Sequence, residues 1–186
     1  MLTLDARLFG WVVAHRVHAL DSLMWILSVV GRGGIVWLIL GMLLAGARRI
    51  APQSLAQLAL AIVLASVAAD RVIKPAVQRV RPFQSNPTIQ VIGGHPRDWS
   101  FPSGHSANAF AGATVLTHAL PPAAVVWWAL ACAIAFSRVY LGVHYPLDVI
   151  GGAVVGMACG LVVVTFARRA TPSGTPSHPE GPRDHY

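Results

Sequence analysis

Apolar residues run along this chain in long blocks, and polar residues interrupt them only at intervals. From Asp21 to Ala47 nearly every position is apolar, broken once by Gly31-Arg32-Gly33-Gly34 and closed by Arg48-Arg49. The block reads as a short interfacial helix, a glycine bend and a span from about Ile35 to Ala47. A single tilted span from about Ser22 is the competing parse. Pro52 suits the first turn of the next helix, whose apolar run covers about Ser54 to Ile73. Residues 82–101 hold Pro82, Asn86-Pro87, Gly93-Gly94, Pro96 and Asp98, which predicts a loop of turn formers at the membrane surface. Further spans are expected from near Ser103 to Leu120, from Ala123 to Phe136 and from Pro146 to Arg168-Arg169.

The ends differ from the middle. Residues 1–21 mix Leu4, Leu8, Phe9, Trp11, Val12 and Val13 with Asp5, Arg7, His15, Arg16 and His18, the pattern of a helix lying in the interface. The Leu8–Ala14 run is short and contains Gly10, so no cleavable signal peptide is expected. Thr171–Tyr186 is rich in Pro, Ser and Gly, the composition of a disordered tail. The division expected is therefore an interfacial helix over 1–21, a membrane-embedded domain over 22–169 and a tail over 170–186. The fold class is all-α: a polytopic membrane helical bundle of about five or six transmembrane helices, with an interfacial N-terminal helix.

Composition agrees with the pattern. The 186 residues are 55% hydrophobic and 11% charged, and mean hydropathy is +0.59; a soluble domain carries about a quarter charged residues. The net charge of +7 raises nucleic acid as a partner. However, the arginines sit at span ends or beside motifs and form no basic stripe, so no nucleic acid is expected. Cys132 and Cys159 lie alone in apolar segments, without disulfide or zinc spacing. Gly152, Gly156 and Gly160 recur every fourth residue, a device for close helix packing in lipid. Trp127-Trp128 reads as an interfacial aromatic belt or lipid contact.

Against this background three polar clusters need a reason, because ionisable residues at a bilayer are costly. The first is Lys74 with Arg81-Pro82, which two helical turns would set on one face. The second is Pro102-Ser103-Gly104-His105, at the start of a span. The third is the stretch from Ser137-Arg138 through His144 to Asp148. The first two flank one loop and the third lies two crossings later, so all three meet on one membrane face. Together they suit a phosphate oxyanion. Lys74, Arg81 and Arg138 supply cations. Ser103 and Gly104 offer free backbone N–H groups at a helix start. Asp148, in the first turn after Tyr145-Pro146, would bond one ring nitrogen of His144 and free the other to attack phosphorus. His105 could donate a proton to the departing oxygen.

These clusters read Lys74-x6-Arg81-Pro82, Pro102-Ser103-Gly104-His105 and Ser137-Arg138-x5-His144-x3-Asp148. In this the chain resembles the membrane-bound type 2 phosphatidate phosphatase superfamily, which also includes glucose-6-phosphatase and the vanadium haloperoxidases. No signature position departs, and the resemblance covers about residues 22–168. It implies a metal-independent phosphatase with no cofactor, working through a phosphohistidine. His144 would be the nucleophile, Asp148 its orienting carboxylate and His105 the general acid. Lys74, Arg81, Ser103, Gly104 and Arg138 would bind phosphate. The sequence offers no acidic cluster for Mg²⁺. Haloperoxidase chemistry is set aside because those relatives are large and soluble.

Neighbouring residues carry plainer readings. Arg71 and Arg79 are read as solvated or headgroup contacts, and Asp70 as the structural partner of a nearby arginine. His95 and Asp98 lie in the loop near the site, with a substrate or positioning role as the alternative to simple exposure. Arg48-Arg49 and Arg168-Arg169 fall on the face opposite the clusters, so the positive-inside rule turns the site outward; Arg7 and Arg16 argue the other way. The expected location is a bacterial inner membrane with the site facing the periplasm or outside. The partners expected are the bilayer and a lipid phosphate. The family's small bacterial members act on undecaprenyl pyrophosphate, phosphatidylglycerophosphate or lipid A, and sidedness with a compact build puts polyprenyl pyrophosphate first. A non-catalytic lipid-binding or transport protein on the same fold would be marked by loss of His144, Asp148 or His105; none is lost.

Overall fold

The computed structural model describes residues 4–170, which form helices and connecting turns with no strand among them. The interfacial segment becomes helix α1 (Leu4–Ala14). Helices α2 (Asp21–Val30) and α3 (Ile35–Gly46) follow, bent by 53° across the glycine turn. Gly33 and Gly34 take φ of 61° and 74° there, a left-handed backbone that side chains disfavour. The helix–bend–helix parse therefore prevails over a straight span from Ser22.

Pro52 opens α4 (Pro52–Ser66), which continues through a π-helical stretch, Val67–Ile73, into the single turn α5 (Lys74–Val77). Gln78 then adopts φ 51° and ends the helix. The expectation that Lys74 and Arg81 share one helical face is thus corrected: Lys74 is helical, whereas Arg81 is extended at the start of α6 (Pro82–Ser85). Helices α7 (Gly104–Ala119), α8 (Ala124–Tyr140) and α9 (Pro146–Ala170) complete the described chain. The expected tail beyond Ala170 lies outside the described residues.

Helix α7 is the axis of the bundle, packed against α4, α8 and α9. Its residues are small, and the glycine stripe of α9 lies directly on it. A Cβ at Gly156 would come within 2.1 Å of the Ala107 carbonyl oxygen, so only glycine permits this approach. Among the described residues three helices are long and apolar enough to cross a membrane (Pro52–Ser85, Pro121–Tyr140 and Pro146–Arg169), or four if the bent α2–α3 pair is counted as one span. The expected five or six include α7, which leads from the site residues at its start to the end from which α8 returns, and which falls outside this length-based group. At 16 residues it measures about 24 Å, short of a hydrocarbon core of about 30 Å. Enclosed by other helices, it has little surface to turn to lipid.

Lipid-facing positions are apolar and exposed, among them Leu60, Val63, Val125, Leu161 and Phe166. Trp127 departs from the aromatic-belt reading: it is buried in the core with Trp37 and Ile134, and only Trp128 stays partly open, tilted against Phe110. Helix α1 rests on α8 and α9, its Phe9 edge-on to Tyr145.

Candidate active site

The three clusters converge on one end of the bundle around a cavity of about 420 Å³. Lys74, Arg81, Gly104, His105, Arg138 and His144 line it. Asp148 lies behind His144, fully buried. Ser103 is buried too, and its hydroxyl turns back to accept the Ser106 N–H as the cap of α7. The signature residues thus gather at one end of the bundle, but Ser103 is outside the cavity lining and its expected free N–H is corrected: it donates to Asp148 O at 2.9 Å.

Each side chain is held by its own element. Lys74, at the end of the long helix, pairs with Asp70 one turn back at 2.7 Å and with Asp98 of the loop. Asp70 therefore partners a lysine and not a neighbouring arginine. Arg81 is fixed by carbonyls from two loops: Nε donates to Asp98 O at 2.8 Å and Nη1 to Val143 O at 2.8 Å. Its Nη2 reaches the Asp98 carboxylate at 2.7 Å. Arg138, in the last turn of α8, donates to Ser28 of α2, while its buried Nε has no protein partner. His105 stands in the first turn of α7, where free N–H groups and the helix dipole favour an anion.

His144 sits in the turn between α8 and α9. Its Nε2 faces Arg81 Nη1 at 3.1 Å. A guanidinium can only donate, so Nε2 must present its lone pair and the ring proton belongs on Nδ1. That nitrogen points to Asp148 Oδ2 at 3.5 Å, longer than a formed hydrogen bond. The carboxylate orients the ring through its charge. Burial, with Arg81 and Arg138 nearby, outweighs Asp148 and holds the imidazole down at about 3. The ring is therefore neutral at physiological pH.

Asp148 is itself firmly held. Oδ2 accepts from Tyr145 N at 2.8 Å and from the Ser100 hydroxyl, and Oδ1 accepts from Arg79 Nη1 at 2.7 Å. Arg79 also bonds Asp5 of α1. The headgroup reading of Arg79 is corrected: half of its guanidinium braces the Asp148 carboxylate. Asp98 is likewise more than an exposed loop residue. Burial would raise its carboxyl, but Lys74 and Arg81 prevail and hold it at about 2. His95 lines the cavity edge-on to Phe83.

Sequence reasoning missed Arg32, Ser28, Ser100 and Asp5. Pro82 could have flagged the extended backbone at Arg81, because a proline drives the residue before it out of the helical region.

The comparisons agree with this geometry. The model of the PAP2 superfamily matches residues 54–172. An undecaprenyl-diphosphatase of Sulfolobus acidocaldarius is 35% identical over 161 residues, covering 82% of this chain and 73% of that protein. The crystal structure of Aquifex aeolicus LpxE superposes with a TM-score of 0.75 at 30% identity, covering 88% of this chain and 96% of that one. A PAP2-type phosphatidylglycerolphosphate phosphatase of Bacillus subtilis gives 0.69 at 25% identity, over 90% and 86%. Its signatures brought to one cavity and its fold shared with these enzymes, the chain belongs to the PAP2 superfamily and is an integral membrane lipid phosphatase, a hydrolase acting on phosphate esters.

Proposed function

We propose that the substrate is a polyprenyl diphosphate, undecaprenyl diphosphate first among them, and that hydrolysis runs through a phosphohistidine on His144. Nε2 attacks the terminal phosphorus, the P–O bond to the leaving group breaks, and His105 gives that oxygen a proton. Water then attacks the phosphohistidine, His105 takes the proton, the P–N bond breaks and orthophosphate leaves. Lys74, Arg81 and Arg138, with the N–H group of Gly104, hold the phosphoryl oxygens; the Ser103 N–H is already donated to Asp148 O at 2.9 Å. Asp148 keeps the Nδ1 proton in place and offsets the positive charge the ring gains.

The observation that carries the diphosphate reading is Arg32. It lines the cavity from the glycine turn, outside the three signatures. Its carbonyl accepts the Ile35 N–H, but its guanidinium makes no hydrogen bond or ion pair with another described residue. Its charge acts on both His105 and Arg138. When a diphosphate is cleaved, the group leaving beside His105 is itself a phosphate monoester anion. A cation there stabilises that anion and does little for a neutral alcohol.

The site faces away from the cytoplasm in a bacterial inner membrane. Arg48-Arg49 and Arg168-Arg169 sit at the opposite end of the bundle, which the positive-inside rule makes cytoplasmic. Arg16 raises little objection, because it donates to Gln90 O at 2.7 Å and lies over Tyr140. Its charge has a tertiary partner.

The test is phosphate release by detergent-purified protein from undecaprenyl diphosphate, phosphatidylglycerophosphate and phosphatidic acid, for wild type and Arg32→Gln. Diphosphate should be the best substrate, and Arg32→Gln should cost it about tenfold in kcat/KM while changing the monoesters little. Equal loss on all three, or a wild-type preference for monoesters, would return the choice to phosphatidylglycerophosphate or a lipid A phosphate.

A further inference from the structure

We infer that Asp5 of α1 and Arg79 are positioning residues for the His144–Asp148 pair, which makes the N-terminal helix a working part of the active site. The inference rests on the reading of His144 as nucleophile.

Arg79 is shared between two carboxylates. Nη1 donates to Asp148 Oδ1 at 2.7 Å and Nη2 to Asp5 Oδ2. The other oxygen of Asp5 accepts the Leu147 N–H at 2.9 Å, at the open N-terminus of α9, one residue before Asp148. Asp5 is 5% exposed. An acidic side chain buried this deeply in a surface helix needs a countercharge, and Arg79 is that charge. The guanidinium lies 4.3 Å from the centre of the Tyr145 ring, and Phe9 of α1 meets the same ring. Helix α1 thus grips the catalytic turn from both sides of Tyr145.

Two consequences follow for His144. Arg79 occupies Oδ1 of Asp148, while Ser100 and Tyr145 N fix Oδ2 toward Nδ1. Asp5 also balances the charge. With Arg79 alone, Asp148 and the guanidinium would sum to zero, and the carboxylate would do less for the positive charge developing on the imidazole. With Asp5 the three groups sum to one negative charge, facing the ring. Loss of Asp5 therefore weakens the nucleophile without touching the cavity, whose lining excludes both Asp5 and Arg79.

The experiment is a double-mutant cycle of Asp5→Asn and Arg79→Met in the full chain, with Asp5→Glu and His144→Ala alongside. It reads kcat, KM and melting temperature on phosphatidic acid and farnesyl diphosphate. Asp5→Asn should lower kcat about tenfold or more with KM nearly unchanged, and Asp5→Glu should recover most of it. In the Arg79→Met background Asp5→Asn should cost less than about twofold further, because the path to Asp148 is already cut. An unchanged kcat in Asp5→Asn, losses that multiply in the double variant, or losses that track melting temperature across the set would overturn the inference. An active His144→Ala would instead overturn the nucleophile reading. An inactive His144→Ala beside a fully active Asp5→Asn would sink this inference alone.

Discussion

Arg81 Nη1 stands 3.1 Å from His144 Nε2. A donor that never accepts, facing a ring nitrogen that can carry either a proton or a lone pair, decides the tautomer. The lone pair lies on the cavity side and the proton on the Asp148 side. Arg81, proposed to bind phosphate, therefore also turns a lone pair of His144 toward the cavity, as the proposed nucleophile requires.

That arrangement predicts a silent titration. An ordinary histidine gains its proton near 6.5, whereas burial and the neighbouring arginines hold His144 at about 3. With the folded value below the unfolded one, the neutral ring persists as pH falls through 6.5. The stability it contributes is lost only between there and about 3, as the unfolded chain takes up the proton first. In ¹⁵N-histidine spectra, the imidazole signal missing from His144→Asn should not move between pH 5 and 8. Movement centred near pH 6.5 would contradict the assignment.

Asp98 competes for the cations expected to bind phosphate. It pairs with Lys74 and, at 2.7 Å, with Arg81. Asp98→Asn should therefore tighten product inhibition by orthophosphate about fivefold, the scale of a partly exposed charge pair. Weaker inhibition would mean that Asp98 holds the cations in place for the anion.

The glycine stripe makes a prediction about stability. Gly156→Ala drives a methyl group against the Ala107 carbonyl and should cost about 1–3 kcal/mol. Nothing lies within 4 Å of the corresponding position at Gly10 in α1, and Gly10→Ala should stabilise by about 0.5–1 kcal/mol. Melting of the detergent-solubilised protein measures both. An unchanged melting temperature for Gly156→Ala would mean that α7 and α9 can move apart.

The helices and the signature set were legible in the sequence because their signals are local. Apolar blocks bounded by Pro, Gly and Arg-Arg marked α4, α7, α8 and α9, and the site residues lie within short motifs. Asp5 and Arg79 were not legible, since their partnership spans 74 positions and only the docking of α1 creates it. Ser28 meets Arg138 across 110 positions for the same reason. The helical link from Lys74 to Arg81 failed at Gln78, where no Gly or Pro marks the break. Pairing Trp127 with Trp128 failed because adjacent helical residues point about 100° apart, so one could enter the core while the other stayed at its edge.

The central claim is that His144 carries the phosphoryl group. Its most direct test is acid-sensitive, alkali-stable labelling of the protein, trapped by rapid quenching after mixing with ³²P-labelled lipid diphosphate. Wild type should take up label that His144→Ala does not, with phosphate release lost in the same variant. Label on His144→Ala, or steady phosphate release without His144, would contradict it.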